Sequence, residues 1–426
     1  MSTIPAELNA PITDLTADEF GDVNLWLGQG KRYHDVPEYV SRELCHRTTA
    51  RPTEASLLPS PLLPVLHLID FPSPPTSQSL QDLKPEQIFS HSIATHPSSE
   101  CLRLSAPSHD VLNALMDCAG QAMLDGKISM QHWEERGVFL PFDALGLWAL
   151  IVQVNTAKDV WRDALRWLGQ HNVKPTQHIQ AAKFLGAIPW NGYIKGLGSG
   201  ISITEMASFL SRAWLSDIHV DTMLSAAMHL RRDTLSRVVP HTEIILSNFV
   251  THILESPLLE MTPIPCDYLN KAPKSVQKLV SVISESSSGI RIATVSFSHP
   301  SHWACLIIDC QAGTISWGDS FGRAAPAGLE KRLKAWLGLF SPQIKFSSLQ
   351  ALPCAHQTNG YSCAIIAVNT LKHNLFGDEL WSEQHRESLR IAEFFDILEI
   401  SGSLGCIADV RTSSLVFLHC TCGLRA

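Results

Sequence analysis

Charge and long apolar runs are both scarce in this chain of 426 residues. Charged residues make up 17% of the sequence and hydrophobic residues 45%, against roughly 25% charged in typical soluble proteins. The 33 basic residues are outnumbered by 41 acidic ones and form no dense run, so we expect no nucleic-acid partner. No segment reaches the roughly 18 apolar residues that a membrane helix needs, so we expect no membrane span.

Cysteine is also sparse and irregularly placed. The 11 cysteines are an odd number without regular spacing, which argues against a disulfide scaffold. The first residues lack the basic flank and apolar stretch of a signal peptide. We therefore expect free thiols in a reducing, intracellular compartment.

A metal site is the alternative to free thiols for some of these cysteines. Cys354, His356 and Cys363, with His419, Cys420 and Cys422 near the end of the sequence, could be counted as ligands. Their spacing matches no standard zinc pattern of paired Cys-x-x-Cys knuckles. The sequence therefore predicts neither a metal nor another cofactor.

Proline and glycine mark the expected domain divisions. At about 150 residues per domain, the length suggests two or three domains. Residues 51–107 are rich in proline and serine, which disfavour helices and β-ladders, and we interpret them as a linker. A weakly helical segment (1–50) precedes it, and a helical extension (108–195) follows, in which Asp159–Gly169 places apolar residues at one-turn spacing. Four glycines between 192 and 200 predict the next boundary.

The second half, 200–415, is predicted to be an α+β domain with a short tail, 416–426. Ser202 and Glu205 fit a capping box at the start of a helix. Further helices are expected over Trp214–Leu230, His241–Leu254, Gly328–Leu337 and from Cys363, and strands over Arg291–Phe297, Trp303–Asp309, Thr314–Gly318 and Gln343–Ser348.

Four polar residues lie at the ends of these elements. His302 opens one strand and Asp319 closes the next, and the two strands are joined by a short loop containing glycine. If the pair is an antiparallel hairpin, these two side chains are neighbours. Gln357 lies in the loop before Cys363, and Cys363 begins an apolar helix.

Together these four residues have the chemistry of a thiol protease. The positive end of a helix dipole favours a thiolate at Cys363, which is the nucleophilic form. A neighbouring His302 would activate the thiol and protonate the leaving amine, and Asp319 would orient the imidazole. The amide of Gln357 could donate to the developing oxyanion beside the backbone N–H groups near Cys363.

These residues and their order resemble the Ulp/sentrin (SUMO protease) family of cysteine proteases over about residues 200–415. The matching segments are His302-Trp303, Asp319-Ser320 and Gln357-Thr358-Asn359-Gly360-Tyr361-Ser362-Cys363, with Trp214-Leu215-Ser216-Asp217 as a fifth element. The resemblance implies an adenain-like fold, a central mixed sheet flanked by helices. The chain departs from the family at Thr358, a frequent proline position, and around the nucleophile, where Ser362-Cys363-Ala364 stands in place of the common Asp-Cys-Gly.

The resemblance also implies a function. It predicts cleavage after the Gly-Gly C-terminus of a ubiquitin-like modifier, most readily SUMO, by a Cys-His-Asp triad in the nucleus or cytoplasm. Trp214 and Trp303 would line the tunnel for the glycine tail, and Asp217 would contact the body of the modifier. Two alternatives remain open, namely deubiquitinase specificity and a non-catalytic modifier-binding module.

Overall fold

The structure is a computed structural model, and its chain forms two compact units. The described residues are 22–77, 84–170, 175–231, 241–260, 268–285, 289–299, 302–340, 342, 344–403 and 407–408. The first unit includes the described parts of 1–60 and 70–158, and the second unit comprises those of 61–69 and 159–411.

The secondary structure is mixed. In chain order, the α-helices are α1 (Glu38–Arg47), α2 (Pro52–Ala55), α3 (Val65–Asp70), α4 (His109–Leu124), α5 (Ala144–Gln170), α6 (Pro175–Leu185), α7 (Ile203–Met206), α8 (Asp217–Leu230), α9 (Asn248–Glu255), α10 (Tyr268–Lys271), α11 (Lys274–Glu285), α12 (Leu329–Phe340), α13 (Cys363–Phe376) and α14 (Arg386–Ser403). The strands are β1 (Phe89–Ser90), β2 (Ser129–Gln131), β3 (Phe139–Leu140), β4 (Tyr193–Ile194), β5 (Ile201–Ser202), β6 (His241–Ile245), β7 (Ile290–His299), β8 (His302–Asp309), β9 (Thr314–Asp319), β10 (Gln350–Ala351) and β11 (Ile407–Ala408).

The first unit is built from helices and one small sheet. Strands β1, β2 and β3 form an antiparallel three-stranded sheet. The core of the unit includes Leu44 of α1, Leu115 of α4 and Trp148 of α5, all fully buried. No helix within the described parts of the chain combines the length and apolar content needed to cross a membrane.

The segment predicted as a linker, 51–107, is folded wherever the structure describes it. It contains α2, α3 and β1, and it buries Val65, Phe89 and Cys101. The prolines do not prevent this because Pro52 occupies the first turn of α2 and Pro64 immediately precedes α3. At the start of a helix the missing N–H of proline has no intrahelical partner to lose.

A five-stranded mixed sheet organises the second unit, in the order β10-β9-β8-β7-β6. Strands β7, β8 and β9 are antiparallel neighbours, whereas β6 and β10 pair in parallel at the two edges. Helices α9, α11 and α12 contribute to the buried core, where Phe249 lies edge-on to Trp336 at 5.3 Å between ring centroids. The α+β prediction is confirmed, and β7, β8 and β9 match three predicted strands.

Two predicted elements of this domain are wrong. Residues 241–245 form β6 instead of a helix, which begins only at Asn248, because Ile244 and Ile245 are buried where β6 pairs with β7. The strand expected over Gln343–Ser348 is absent from its described residues. There Ile344 and Phe346 pack against the core without a ladder, and the short β10 follows at Gln350–Ala351.

Candidate active site

The hairpin of β8 and β9 brings His302 and Asp319 together. Asp319 lies opposite Ala304 in the ladder, and His302 is two residues from Ala304, so both side chains point to the same face of the sheet. The His302 Nε2 atom is 3.0 Å from Asp319 Oδ1, and both side chains are buried. A buried carboxylate in this position fixes the orientation of the imidazole.

The Asp319 carboxylate is itself held in place. Its Oδ1 atom accepts a hydrogen bond from the Phe321 N–H at 2.8 Å. The Phe321 ring also stacks on the His302 ring, with 4.7 Å between centroids. Arg323 covers the Phe321 ring, its guanidinium carbon 4.9 Å from the centroid. The turn after β9 therefore positions both members of the pair.

The surroundings of His302 favour its charged form. Burial by itself would lower the pKa of His302, but hydrogen bonds to Asp319 and Cys363 outweigh it and raise the pKa from 6.5 to about 9. Because Nε2 faces Asp319, the other ring nitrogen, Nδ1, is the one left for the thiol. The geometry thus links carboxylate, imidazole and thiol in series.

Cys363 is the first residue of α13, a helix buried over its first ten residues. The backbone N–H groups of a first helical turn have no intrahelical partner and form the positive end of the helix dipole. Helix α13 approaches β9 closely at Gly318, where an added Cβ would lie 3.2 Å from Thr370 Cγ2. The absence of a side chain at Gly318 lets the nucleophile helix pack against the strand that carries Asp319.

The loop before Cys363 is ordered by its own polar side chains. Gln357 is buried, its backbone N–H donates to the Ser320 carbonyl, and its Oε1 accepts from the Ser320 hydroxyl, both at 2.8 Å. The Gln357 Nε2 group donates to the carbonyl of Asn359. The Asn359 side chain accepts from the N–H groups of Tyr361 and Ser362 at 3.0 and 2.9 Å. Ser320 therefore fixes which end of the Gln357 amide is the donor.

Two of the three departures from the family pattern, Thr358 and Ala364, have structural explanations. The hydroxyl of Thr358 donates to Glu383 at 2.6 Å, so a hydrogen bond restrains the loop where a proline ring often does. Ala364 is fully buried in the first turn of α13, and alanine suits a helix better than glycine does.

The two predicted tunnel residues lie against each other. The ring centroids of Trp214 and Trp303 are 6.0 Å apart, with planes inclined by 15°. Trp303 is fully buried and its indole N–H donates to the Leu215 carbonyl at 2.8 Å, whereas Trp214 is half-buried. Asp217 is exposed at the start of α8. Their roles in binding remain predictions.

Three residues near the site were given no role from the sequence, although Ser320 belongs to a matching segment. Phe297 pairs with Trp303 across β7 and β8, and their rings stack at 3.8 Å. Ser320 orients Gln357, and Arg390 reaches the site from α14. The alternation of β7 could have indicated Phe297, since it is opposite Trp303, but no local pattern indicates Arg390, which is distant in sequence.

Cys354 and Cys363, two of the residues that could be counted as metal ligands, belong to no metal-binding cluster in the described part of the chain. Within the parts of the chain that the structure describes, no group of three His, Cys, Asp or Glu side chains could hold a metal ion. Cys354 accepts a hydrogen bond from the Thr370 hydroxyl, with 3.3 Å between oxygen and sulfur. His419, Cys420 and Cys422 lie outside the described residues.

Comparison with known proteins gives structural matches but no match in sequence. No protein-family model and no curated protein matches the chain. Among solved structures, the yeast Ulp1 protease domain in complex with Smt3, the yeast ortholog of SUMO, shares 21% identity at a TM-score of 0.38, covering 55% of this chain and 97% of that one. The catalytic domain of a Chaetomium thermophilum Ulp1-like SUMO protease shares 18% identity at 0.33, covering 44% and 73%. ChlaDub1 from Chlamydia trachomatis shares 17% identity at 0.26, covering 45% and 92%.

These matches include SUMO protease catalytic domains, the family that the motif residues resemble. At such identities and TM-scores they carry no argument about activity.

Proposed function

We propose that this chain is a cysteine protease that cleaves after the Gly-Gly C-terminus of a ubiquitin-like modifier, SUMO in particular. The observation that carries the proposal is the series formed by Asp319, His302 and the first residue of α13, Cys363. A buried carboxylate, a charged imidazole and a thiol at a helix N-terminus are the parts that nucleophilic catalysis by cysteine requires.

In the first half-reaction, the sulfur of Cys363 attacks the carbonyl carbon of the terminal glycine. A carbon–sulfur bond forms, and the carbonyl electron pair moves to the oxygen, where the Gln357 Nε2 group and the N–H groups at the start of α13 can donate hydrogen bonds. The carbon–nitrogen bond then breaks, and the leaving amine takes the proton of His302. The product is a thioester on Cys363.

In the second half-reaction, water replaces the amine. His302, now neutral, takes a proton from the attacking water, and the hydroxide adds to the thioester carbonyl. The carbon–sulfur bond breaks, which releases the modifier as a carboxylic acid and regenerates the thiolate beside the imidazolium. The acid then loses its proton to the solvent and becomes a carboxylate. Asp319 keeps the imidazole oriented in both steps.

The aromatic residues beside this site supply the proposed specificity. Trp214 faces Trp303 and Phe297, with centroid distances of 6.0 and 5.8 Å. A tail that lies against such rings would be restricted to glycine, because larger side chains would conflict sterically with them. The exposed carboxylate of Asp217, three residues after Trp214, would contact the body of the modifier. We expect an intracellular site of action, in the nucleus or cytoplasm, from the family resemblance alone.

An electrophilic Gly-Gly probe and a fluorogenic substrate, each prepared from SUMO and from ubiquitin, test the proposal. The wild-type chain should form a covalent adduct with the SUMO probe and release the fluorophore. Cys363→Ala should abolish both while its thermal unfolding stays unchanged. The matched control is Cys45→Ala, because Cys45 is an exposed thiol outside the site and would carry any unspecific labelling.

The same panel separates the alternatives. Faster turnover of ubiquitin than of SUMO would replace the proposed specificity with that of a deubiquitinase. Binding of a modifier without an adduct would identify a non-catalytic module. Undiminished turnover by Cys363→Ala would refute the assignment of the nucleophile.

A further inference from the structure

Arg390 is a buried cation. Among the described residues, every hydrogen bond that it donates goes to a backbone carbonyl. It lies on α14 with an exposed fraction of 2%. Its Nε group donates to the Phe209 carbonyl at 3.1 Å, and one terminal nitrogen, Nη2, donates to the carbonyls of Ser208 at 2.8 Å and Ala213. A buried guanidinium is costly to desolvate, so one that forms no hydrogen bond to a carboxylate of the described residues requires a specific reason.

The second terminal nitrogen of Arg390 takes part in none of these hydrogen bonds. Its Nη1 atom is buried and has no hydrogen-bond partner among the described residues. The guanidinium carbon is 5.9 Å from the ring centroid of Tyr361, which lies two residues before Cys363. Burial lowers the pKa of Arg390 to about 10, and Tyr361, Cys363 and Glu387 act against this shift. Arg390 therefore contacts both the loop 211–216, called the Trp214 loop below, and the ring of Tyr361 in the loop before Cys363.

The contact with Ala213 matters because Trp214 follows directly. In the loop 211–216, the carbonyl of Ala213 is held by Arg390, and the carbonyl of Leu215 accepts the indole N–H of Trp303 at 2.8 Å. The half-buried Trp214 is the residue between these two anchors. With both neighbouring peptides fixed, its ring has little freedom to leave the stack on Trp303.

We propose that Arg390 is a positioning residue that holds the Trp214 loop in the conformation that receives the glycine tail of the modifier. It acts through the Ala213 carbonyl and does not touch the substrate. The inference rests on the proposed protease function, and it adds a determinant of tail binding on α14. Lysine cannot replace the fork of arginine, because one ammonium group cannot reach three carbonyls in the plane of a guanidinium.

Arg390→Lys tests the proposal with two readouts. In the absence of substrate, the circular dichroism difference between wild type and Trp214→Phe isolates the signal of the Trp214–Trp303 ring pair. Arg390→Lys should lose this signal. With the SUMO fluorogenic substrate, KM should rise about tenfold, or about 1.4 kcal/mol, while kcat changes little, since the tail loses an aromatic contact.

Arg386→Lys is the matched control. Arg386 lies one turn earlier on α14 and also faces the Tyr361 ring, at 5.8 Å, but it binds the carboxylates of Glu383 and Glu387. It should keep both the ring-pair signal and KM. An equal loss in this control would overturn the specific role of Arg390.

A second variant leaves the buried charge in place, should Arg390→Lys fail to fold. Incorporation of the α-hydroxy analogue of tryptophan at position 214 converts the preceding amide to an ester, which makes the Ala213 carbonyl a weaker acceptor. The ring-pair signal should weaken and KM should rise.

Retention of both the signal and KM in either folded variant would overturn the proposal, as would loss of the signal with KM unchanged. A wild-type chain that cleaves no modifier would refute the proposed function, while the substrate-free signal would still decide whether Arg390 positions Trp214.

Discussion

His302 determines the pH dependence expected at the scale of single residues. Its pKa rises from 6.5 to about 9 in the folded chain, so folding favours the charged imidazole. The stabilisation that this charge provides is fully present below the unfolded pKa of 6.5 and is lost as the pH rises through about 9. The leaving amine needs the same proton, so acylation should slow over the same basic range.

Asp319→Asn should shift the basic limb of the pH profile, where activity falls as the pH rises, to lower pH. The amide cannot offset the burial that lowers the pKa of His302, so the midpoint of this limb should shift from about 9 toward or below 6.5. At neutral pH, kcat/KM should fall by roughly a thousandfold, because the imidazole loses both its charge and its orientation. A pH profile of kcat/KM with the modifier substrate measures both effects. An unshifted limb in the folded variant would show that Asp319 does not set the proton affinity of His302.

Ser320→Ala should reduce kcat and leave KM unchanged. The Ser320 hydroxyl donates to Gln357 Oε1 at 2.8 Å and so fixes the amide that would face the oxyanion. Without it, we expect kcat to fall about tenfold, less than the roughly hundredfold or greater loss expected for Gln357→Ala. Steady-state kinetics of both variants and of the double variant test the relation. If the fold-losses in kcat of the two single variants multiply fully in the double variant, Ser320 acts independently of Gln357.

At the scale of elements, the site depends on how closely α13 packs on β9. Gly318 lies in β9 with Thr370, Cys354 and Leu352 around it, all 3.2 to 3.3 Å from the position of an added Cβ. These contacts are tighter than ordinary van der Waals separation, and two of them come from the segment next to the catalytic loop. A methyl group would push α13, and with it Cys363, away from the sheet.

Gly318→Ala should therefore destabilise the second unit by about 1 to 3 kcal/mol, as overpacking does in other cores. Urea denaturation gives the free energy of unfolding. Gly338→Ala is the matched control, because Gly338 lies in α12 with nothing within 4 Å of an added Cβ. Alanine there should stabilise the helix by up to about 1 kcal/mol. Equal effects of the two substitutions would contradict the packing argument.

Local patterns in the sequence were enough to predict the elements that carry the site. The ends of two strands and the start of an apolar helix indicated His302, Asp319 and Cys363. The hairpin between the first two needs only a short loop. Arg390 could not be predicted, because its partners are carbonyls some 180 residues away in the chain. Residues 241–245 were misjudged because a short apolar run fits a helix or a buried strand equally well.

At the scale of the whole molecule, the unit that holds the site is discontinuous in sequence. Residues 61–69 belong to it with 159–411. The Val65 N–H donates to the Ile188 carbonyl at 3.1 Å, and the Trp190 N–H donates to the Leu63 carbonyl at 2.9 Å. The boundary predicted near residue 200 therefore lies inside a folded unit. The glycines that suggested it have positive φ angles, as in turns between β4 and β5, such as 90° at Gly200.

A fragment of residues 200–411 should accordingly be much less stable than one of residues 159–411. The shorter fragment loses β4, which pairs Ile194 with Ile201, and it loses Phe184 of α6, whose ring lies 5.7 Å from that of Phe395 in α14. It also loses the buried side chains of Leu185 and Ile188. At about 1.5 to 3 kcal/mol for each buried aliphatic side chain, the loss is roughly 5 kcal/mol or more, comparable with the whole stability of a typical domain.

Urea denaturation of the two fragments, with the full chain as reference, measures the difference. Coincident unfolding midpoints would place the boundary near residue 200 after all and would make the helical segment before it dispensable for the site.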